Sequence, residues 1–232
     1  MLTEAIILAG GLGTRLQSVV SDVPKPMAMV CEQPFLSILI NIYRAKGIKR
    51  FILSLGHKAD IVIDYFKDRY TDIEIAFVVE EQPLGTGGAL RLATTMLKTD
   101  YALVLNGDSF LDVDLAQADA LIAKYSSTVI WGRQVADCSR YGQIEHEAGL
   151  ICKFKEKDAV GAGIINAGVY VISSNLLDCF AVHKPFSLER DYFASISSEH
   201  GFRLLVADSY FIDIGIPESY MRAQHELLPY IQ

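Results

Sequence analysis

Four short apolar runs in the first half of the chain, Ala5 to Leu8, Phe51 to Leu55, Ile73 to Val79 and Tyr101 to Leu105, alternate with stretches of helical periodicity. Phe35, Ile38, Leu39, Ile42 and Tyr43 share one face of a helix predicted over 35–46. Ile61, Val62, Tyr65 and Phe66 do the same over 59–70. Strands separated by helices lie parallel, because parallel neighbours need a crossover connection. The expected fold is therefore α/β, a Rossmann-like, mixed but mainly parallel sheet flanked by helices. Beyond Thr128 to Arg133 the pattern loosens into short runs near Gln143 to Glu145, Leu150 to Phe154 and Ile164 to Ile172, which fits a mixed or antiparallel extension. Helical patterns return at Leu188 to Glu199 and at Pro217 to Leu228, where the opening proline lacks only an N–H that a first turn does not use. No linker, repeat or low-complexity tract interrupts the 232 residues, so one domain over 1–232 is expected.

With 51% hydrophobic side chains the chain can bury a large core, and its net charge of -7 argues against neutralising nucleic-acid phosphates. Cys31, Cys138, Cys152 and Cys179 form no CxxC pair, which favours reduced thiols over a zinc site. The start lacks a basic segment and the run Ala5 to Ala9 is too short to span a bilayer, so a cytoplasmic protein without a membrane partner is expected. The five histidines show no HxxxH or triad spacing and are read as non-catalytic.

The first apolar run leads directly into Leu8-Ala9-Gly10-Gly11-Leu12-Gly13-Thr14-Arg15-Leu16. Such a loop lets backbone N–H groups approach anionic oxygens without a Cβ in the way. It is not the dinucleotide fingerprint, since Leu16 stands where the last glycine belongs, and it lacks the Gly-Lys-Ser/Thr of a Walker A loop. Lys25 lies between Pro24 and Pro26, whose fixed φ angles limit where its ammonium can go. Arg15 suits bidentate binding of β- and γ-phosphates, and Lys25 suits bridging an α-phosphate and an incoming phosphate as a point charge. Two further segments, Leu103 to Asp108 and Phe211 to Glu218, each place an Asp after an apolar strand, at the sheet edge where open α/β folds bind ligands.

Gly10 to Leu16 followed by Pro24-Lys25-Pro26 resembles the sugar-phosphate nucleotidyltransferase family, whose signature is G-G-x-G-T-R-L and then P-K-P. The resemblance implies the nucleotide-diphospho-sugar transferase fold and the joining of a sugar 1-phosphate to a nucleoside triphosphate with release of pyrophosphate. It implies a nucleotide-binding part over about 1–133 and a sugar-binding part over about 134–232. It assigns Mg2+ to Asp108 and Asp213, which with phosphates and water supply the oxygen ligands magnesium prefers. It assigns the nucleotide to Leu8, Gly10, Gly11, Gly13, Thr14, Arg15, Glu80, Gly85 and Thr86, with Arg15 and Lys25 catalytic. The sugar phosphate falls to Asn106, Gly142, Glu156, Lys157 and Asn166. Ser187 to Asp191 also matches a segment near the family's active site, without a defined role.

In the family the 80–89 segment closes over the nucleobase, with Gly85, Gly87 and Gly88 allowing close approach. A Glu80 carboxylate matches the ring N–H and amino donors of guanine, which favours GTP. Short length and the motifs Pro83 to Ala89 and Asn106 to Ser109 most resemble guanylyltransferases acting on a heptose 1-phosphate, with mannose 1-phosphate guanylyltransferases and amino-sugar uridylyltransferases as alternatives. Two positions depart from the family pattern, Ile216 where Thr is common and Asp158 where Pro is common. Homo-oligomer formation is left open. An idle paralogue has no need of Arg15, Lys25, Asp108 and Asp213 together, and a glycosyltransferase using Asp112-Val113-Asp114 has no need of the phosphate loop.

Overall fold

The computed structural model describes residues 1–11, 13–16, 19–139, 141–155 and 161–231. In chain order these form β1 (Glu4–Leu8), β2 (Met29–Val30), β3 (Gln33–Pro34), α1 (Phe35–Ala45), β4 (Arg50–Leu55), α2 (Ala59–Phe66), β5 (Glu74–Val79), α3 (Gly85–Thr94), β6 (Tyr101–Asn106), β7 (Ser109–Leu111), α4 (Leu115–Tyr125), β8 (Val129–Val135), β9 (Gln143–Glu147), β10 (Leu150–Lys155), β11 (Gly163–Ser173), β12 (Arg203–Ala207), β13 (Phe211–Asp213) and α5 (Pro217–Glu226). Nine strands make one sheet in the order β5-β4-β1-β6-β11-β8-β12-β10-β9. The first four are parallel, as the alternation of runs and helices requires. β11 then runs antiparallel to both β6 and β8, and β10 pairs antiparallel with β12 and β9.

Successive side chains on a strand point to opposite faces, so each central strand feeds two cores. Ile7 of β1 and Leu105 of β6 enter one core, while Ile6 and Val104 enter the other. The first is covered by α1, α2, α4 and α5 through Phe35, Phe66, Ala118 and Ala223. The second is covered by Leu90 and Ala93 of α3 and by Phe186, Leu188 and Phe193. No helix among the described residues is long and apolar enough to cross a membrane.

The helix expected over 188–199 does not form as such. Leu188–Tyr192 winds as a π turn, followed by two 3-10 turns at Phe193–Ser195 and Ser198–His200. The buried side chains explain it: Leu188 and Phe193 are five apart, the spacing that an i→i+5 turn brings onto one face. The capping follows the same winding. Ser187 Oγ accepts from the N–H of Arg190, but the reciprocal bond to the Ser187 N–H comes from Asp191, one residue later than in a capping box.

At the edge of the sheet opposite the strand ends that carry ligands, Glu4 is 3% exposed and accepts from Arg50 Nη1 at 2.6 Å, from the Thr99 hydroxyl and from the N–H groups of Lys98 and Thr99. Burial pushes the Glu4 carboxyl up, but these Thr99, Arg50 and backbone donors outweigh it and hold it below its usual value. A lowered carboxylate stabilises the fold above its unfolded value near 4.5 and loses that contribution as pH falls through the folded one. Glu4→Ala should therefore cost about 3 kcal/mol at pH 7, because it leaves the buried Arg50 guanidinium with only Glu74 and the Met96 carbonyl and strands the Lys98 and Thr99 N–H groups, and less below pH 4. Urea unfolding of both proteins at pH 7 and pH 4 measures this, and an equal difference at the two pH values contradicts it.

Candidate active site

Four chain segments converge at the carboxyl ends of β1 and β6. β1 ends at Leu8 in register with Asn106, the end of β6, and the Gly107 N–H donates to the Leu8 carbonyl at 2.9 Å. The glycine loop leaves β1 here, and Thr14–Leu16 forms a 3-10 turn anchored by Leu16, which is 1% exposed. Gly13, at φ +60°, has Lys25 Cβ only 2.8 Å from where its own Cβ would stand, so loop and lysine are packed together. Lys25–Met27 is a 3-10 turn whose first residue follows Pro24 at φ −65°, as the flanking prolines imply.

Asp213 arrives from the far end of the sequence through a two-stranded ribbon, in which it pairs with Ser109 beside Asp108. The Ile214 N–H donates to the Asp108 carbonyl at 2.9 Å. Lys25 Nζ, only 8% exposed, lies 2.6 Å from Asp108 Oδ2 and 3.8 Å from Asp213 Oδ1. The Gly215 N–H donates to that same Asp213 oxygen at 2.6 Å. Two hard carboxylates brought to one cationic position fit a divalent ion whose other ligands are phosphate oxygens and water.

On one side of this point a cleft of about 640 Å³ is lined by Leu8, Gly10, Gly11, Gly13, Thr14, Arg15, Lys25, Glu80, Gly85 and Thr86. All nine residues assigned to the nucleotide therefore share one cavity. Glu80 Oε2 accepts from the Leu84 N–H at 2.7 Å, and Oε1 fills the space that a Cβ on Gly10 would enter, at 2.6 Å. Burial pushes the Glu80 carboxyl up, and the Leu84 N–H only partly offsets this.

The other glycines of the segment approach something the sequence did not announce. A Cβ on Gly87 would stand 2.2 Å from Phe186 Cε2, one on Gly85 2.6 Å from the Phe186 carbonyl oxygen, and one on Gly88 2.6 Å from the Lys184 carbonyl oxygen. They admit the chain's own 184–188 segment. The Phe186 carbonyl accepts from the N–H groups of Gly87 and Gly88, which satisfies donors at the start of α3. The Thr86 hydroxyl accepts from the Leu188 N–H and donates to Glu189.

On the other side of Asp108 a second cleft of about 420 Å³ shares Arg15, Asn106 and Asp108 with the first. It contains Gly142 and Asn166, the latter turned inward by a register shift in β11 between Asn166 and Val169, where Gly168 takes φ +74°. Asn166 Nδ2 donates to the Tyr170 hydroxyl at 2.8 Å and Oδ1 accepts from the Gly168 N–H. Glu156 and Lys157 lie outside the described residues, as does Arg140. Lys155, Glu189 and Arg190 also line this cleft. The Ser187 to Asp191 match pointed to the last two, and their charge was the available clue. Asp112 and Asp114 are used elsewhere: Asp112 pairs with Lys46 at 2.8 Å, and Asp114 caps α4 through the Ala116 N–H.

Known proteins match this chain over nearly its whole length. The chain is 39% identical to a D-glycero-alpha-D-manno-heptose 1-phosphate guanylyltransferase of Campylobacter jejuni, over 94% of this chain and 96% of that protein. It is 38% identical to one from Aneurinibacillus thermoaerophilus, over 98% and 100%. The crystal structure of HddC from Yersinia pseudotuberculosis complexed with GMP-PN superposes with a TM-score of 0.85 at 37% identity, covering 97% of this chain and all of that one. A model of the nucleotidyl transferase family matches residues 4–229, spanning the glycine loop, both carboxylates and both clefts. With that match over almost every residue, and with the fold and near relatives in agreement, the chain belongs to the nucleotidyl transferase family of enzymes.

Proposed function

We propose that the chain converts D-glycero-α-D-manno-heptose 1-phosphate and GTP to GDP-heptose and pyrophosphate. The observation that carries this is the pair of clefts meeting at Arg15, Asn106 and Asp108, with Lys25, Asp108 and Asp213 at the junction. The 640 Å³ cleft takes the triphosphate and the 420 Å³ cleft the sugar phosphate, so their reacting groups meet at Lys25. The nucleotide part corresponds to about 1–133 and the sugar part to about 134–232, with Asn106 and Asp108 contributing to both. Glu156 and Lys157 belong to the sugar part on sequence grounds.

A phosphate oxygen of the sugar 1-phosphate attacks the α-phosphorus of GTP in line, and pyrophosphate leaves from the opposite side. The attacking group is already ionised near neutral pH, so no general base is needed and catalysis is alignment plus charge neutralisation. Arg15 holds β- and γ-phosphate oxygens, and N–H groups of the glycine loop bind the same chain of phosphates. Lys25, fixed by two prolines and by Gly13, spans the α-phosphate and the incoming phosphate. Asp108 and Asp213 would hold Mg2+, which when bound would supply Lewis-acid neutralisation of the crowded oxygens. Free thiols among the described cysteines and the use of a nucleoside triphosphate support a cytoplasmic setting. A homo-oligomer would leave this assignment unchanged, since both clefts are built from one chain.

Mannose 1-phosphate is the second reading. A mannose-1-phosphate guanylyltransferase of Mycobacterium tuberculosis is 31% identical over 97% of this chain but only 64% of its own length, which favours the heptose substrate. Pyrophosphate release across four nucleoside triphosphates and a panel of sugar 1-phosphates decides it, with the fastest specificity constant expected for GTP and the heptose.

Glu80 tests the base directly. Guanine offers its carboxylate two adjacent donors, uracil one, and adenine and cytosine set a ring-nitrogen acceptor beside their single amino donor. Glu80→Gln should lower the ratio of specificity constants for GTP over UTP by about tenfold, the cost of one mismatched charged hydrogen bond. Because burial raises this carboxyl, its ionisation opposes folding once pH exceeds the usual value of 4.5, so the variant should melt no lower than wild type at pH 7. An unchanged ratio removes Glu80 from base recognition.

A further inference from the structure

The segment that lines the nucleotide cleft and the segment that lines the sugar cleft are joined by an unbroken run of hydrogen bonds. It starts at Glu80, whose Oε2 accepts from the Leu84 N–H at 2.7 Å. The Leu84 carbonyl accepts from the Phe186 N–H at 2.9 Å, and the Phe186 carbonyl accepts from Gly87 and Gly88. Thr86, between Gly85 and Gly87, accepts from the Leu188 N–H at 2.9 Å and donates to Glu189 Oε2 at 2.7 Å. Glycine at 85, 87 and 88 makes the contact sterically possible, since any larger residue would meet Phe186 or Lys184.

Glu189 is where this run reaches the sugar cleft. Its Oε2 is occupied by the Thr86 and Ser187 hydroxyls, while no described donor engages Oε1. The Tyr170 phenol, bonded to Asn166 in the same cleft, is pushed well up by burial and, after that, by the Glu189 carboxylate. A carboxylate with one oxygen tied back and one facing a polar cavity is suited to accept a sugar hydroxyl. The π turn at Leu188–Tyr192 fixes its backbone.

Resting on the assignment of the two clefts above, we infer that Thr86 is a positioning residue that holds Glu189 to accept a hydroxyl of the sugar, so that nucleobase binding and sugar binding are coupled through a single side-chain hydrogen bond. A base seated against Glu80 orders the 80–88 segment, and that order is passed to Glu189 by the Thr86 hydroxyl. Coupling of this kind is reciprocal: each substrate raises the affinity for the other by the same factor.

Calorimetric titration measures it. The sugar 1-phosphate is titrated into enzyme alone and into enzyme saturated with the α,β-methylene analogue of the triphosphate, whose α–β bridge cannot be cleaved. Wild type is expected to bind the sugar roughly fivefold or more tightly in the presence of the analogue. Thr86→Val keeps the shape but removes the hydroxyl, and should bring that ratio close to one. Thr86→Ser should restore it. Glu189→Gln, which still accepts from Thr86, should keep the ratio while weakening sugar binding in both titrations. A wild-type ratio of one, or a Thr86→Val ratio equal to wild type, overturns the proposal, as does a Thr86→Ser variant that behaves like Thr86→Val. The ratio is taken with whichever triphosphate and sugar 1-phosphate bind, so a wrong substrate assignment shows itself in the single-ligand titrations and leaves the coupling measurement intact.

Discussion

Asp108→Asn and Asp213→Asn should each lower kcat by on the order of 10³-fold, the equivalent of several kcal/mol of lost cation-borne charge stabilisation, while the protein stays folded. Each swap keeps the size of the side chain and removes its charge. The two carboxylates reach the same cationic position from strands that pair only through the ribbon of β7 and β13, so neither can stand in for the other. Lys25 would keep one carboxylate partner in either variant, which is why a large loss of stability is not expected. Steady-state rates across a magnesium series, together with melting curves, check both halves of this expectation. A variant with near-native rate at limiting magnesium would remove its carboxylate from the metal site.

Lys25→Ala should lose about 10²- to 10³-fold in kcat with a much smaller change in the Michaelis constant for the triphosphate. Its ammonium is 8% exposed and held at 2.6 Å from Asp108, so it is oriented before substrate arrives. Preorganised charge of that kind acts most strongly on the oxygens whose charge grows in the transition state. Arg15 is exposed and lies where both clefts meet, and Arg15→Ala should instead weaken triphosphate binding as well. Specificity constants and maximal rates for the two variants separate the roles. If Lys25→Ala changes only the Michaelis constant, Lys25 binds ground and transition states alike and the reaction does not depend on it.

The parts of this molecule that could be read from its sequence are those in which local pattern and tertiary environment agree. β1, β4 and β6 are continuous apolar runs because both faces are buried, and α1 is apolar on nearly every side because Leu36 and Ile40 are buried along with the stripe of Phe35, Ile38, Leu39, Ile42 and Tyr43. The glycine loop and the lysine between two prolines are local devices, and they carry their geometry with them. β13 shows in the sequence only as a short apolar run before Asp213, β7 is too short to show periodicity at all, and the pairing of the two, which unites the aspartates, has no local signature. The 188–199 segment looked helical because charged and apolar residues alternate there, but the five-residue step from Leu188 to Phe193 belongs to a wider turn. Gly87 and Gly88 read as room for a base, whereas their neighbours are Phe186 and the Lys184 carbonyl, about a hundred positions away, which no local pattern can disclose.

The ribbon of β7 and β13 also sets when the protein can begin to work as it is made. Asp213 lies 105 positions after Asp108, so a ribosome adding about 5 to 20 residues per second delivers the second aspartate roughly 5 to 20 s after the first. During that interval the parallel strands and the glycine loop have already been made, yet the position shared by the two carboxylates lacks one of them. The paired carboxylates are therefore among the last parts of the site to come together in synthesis.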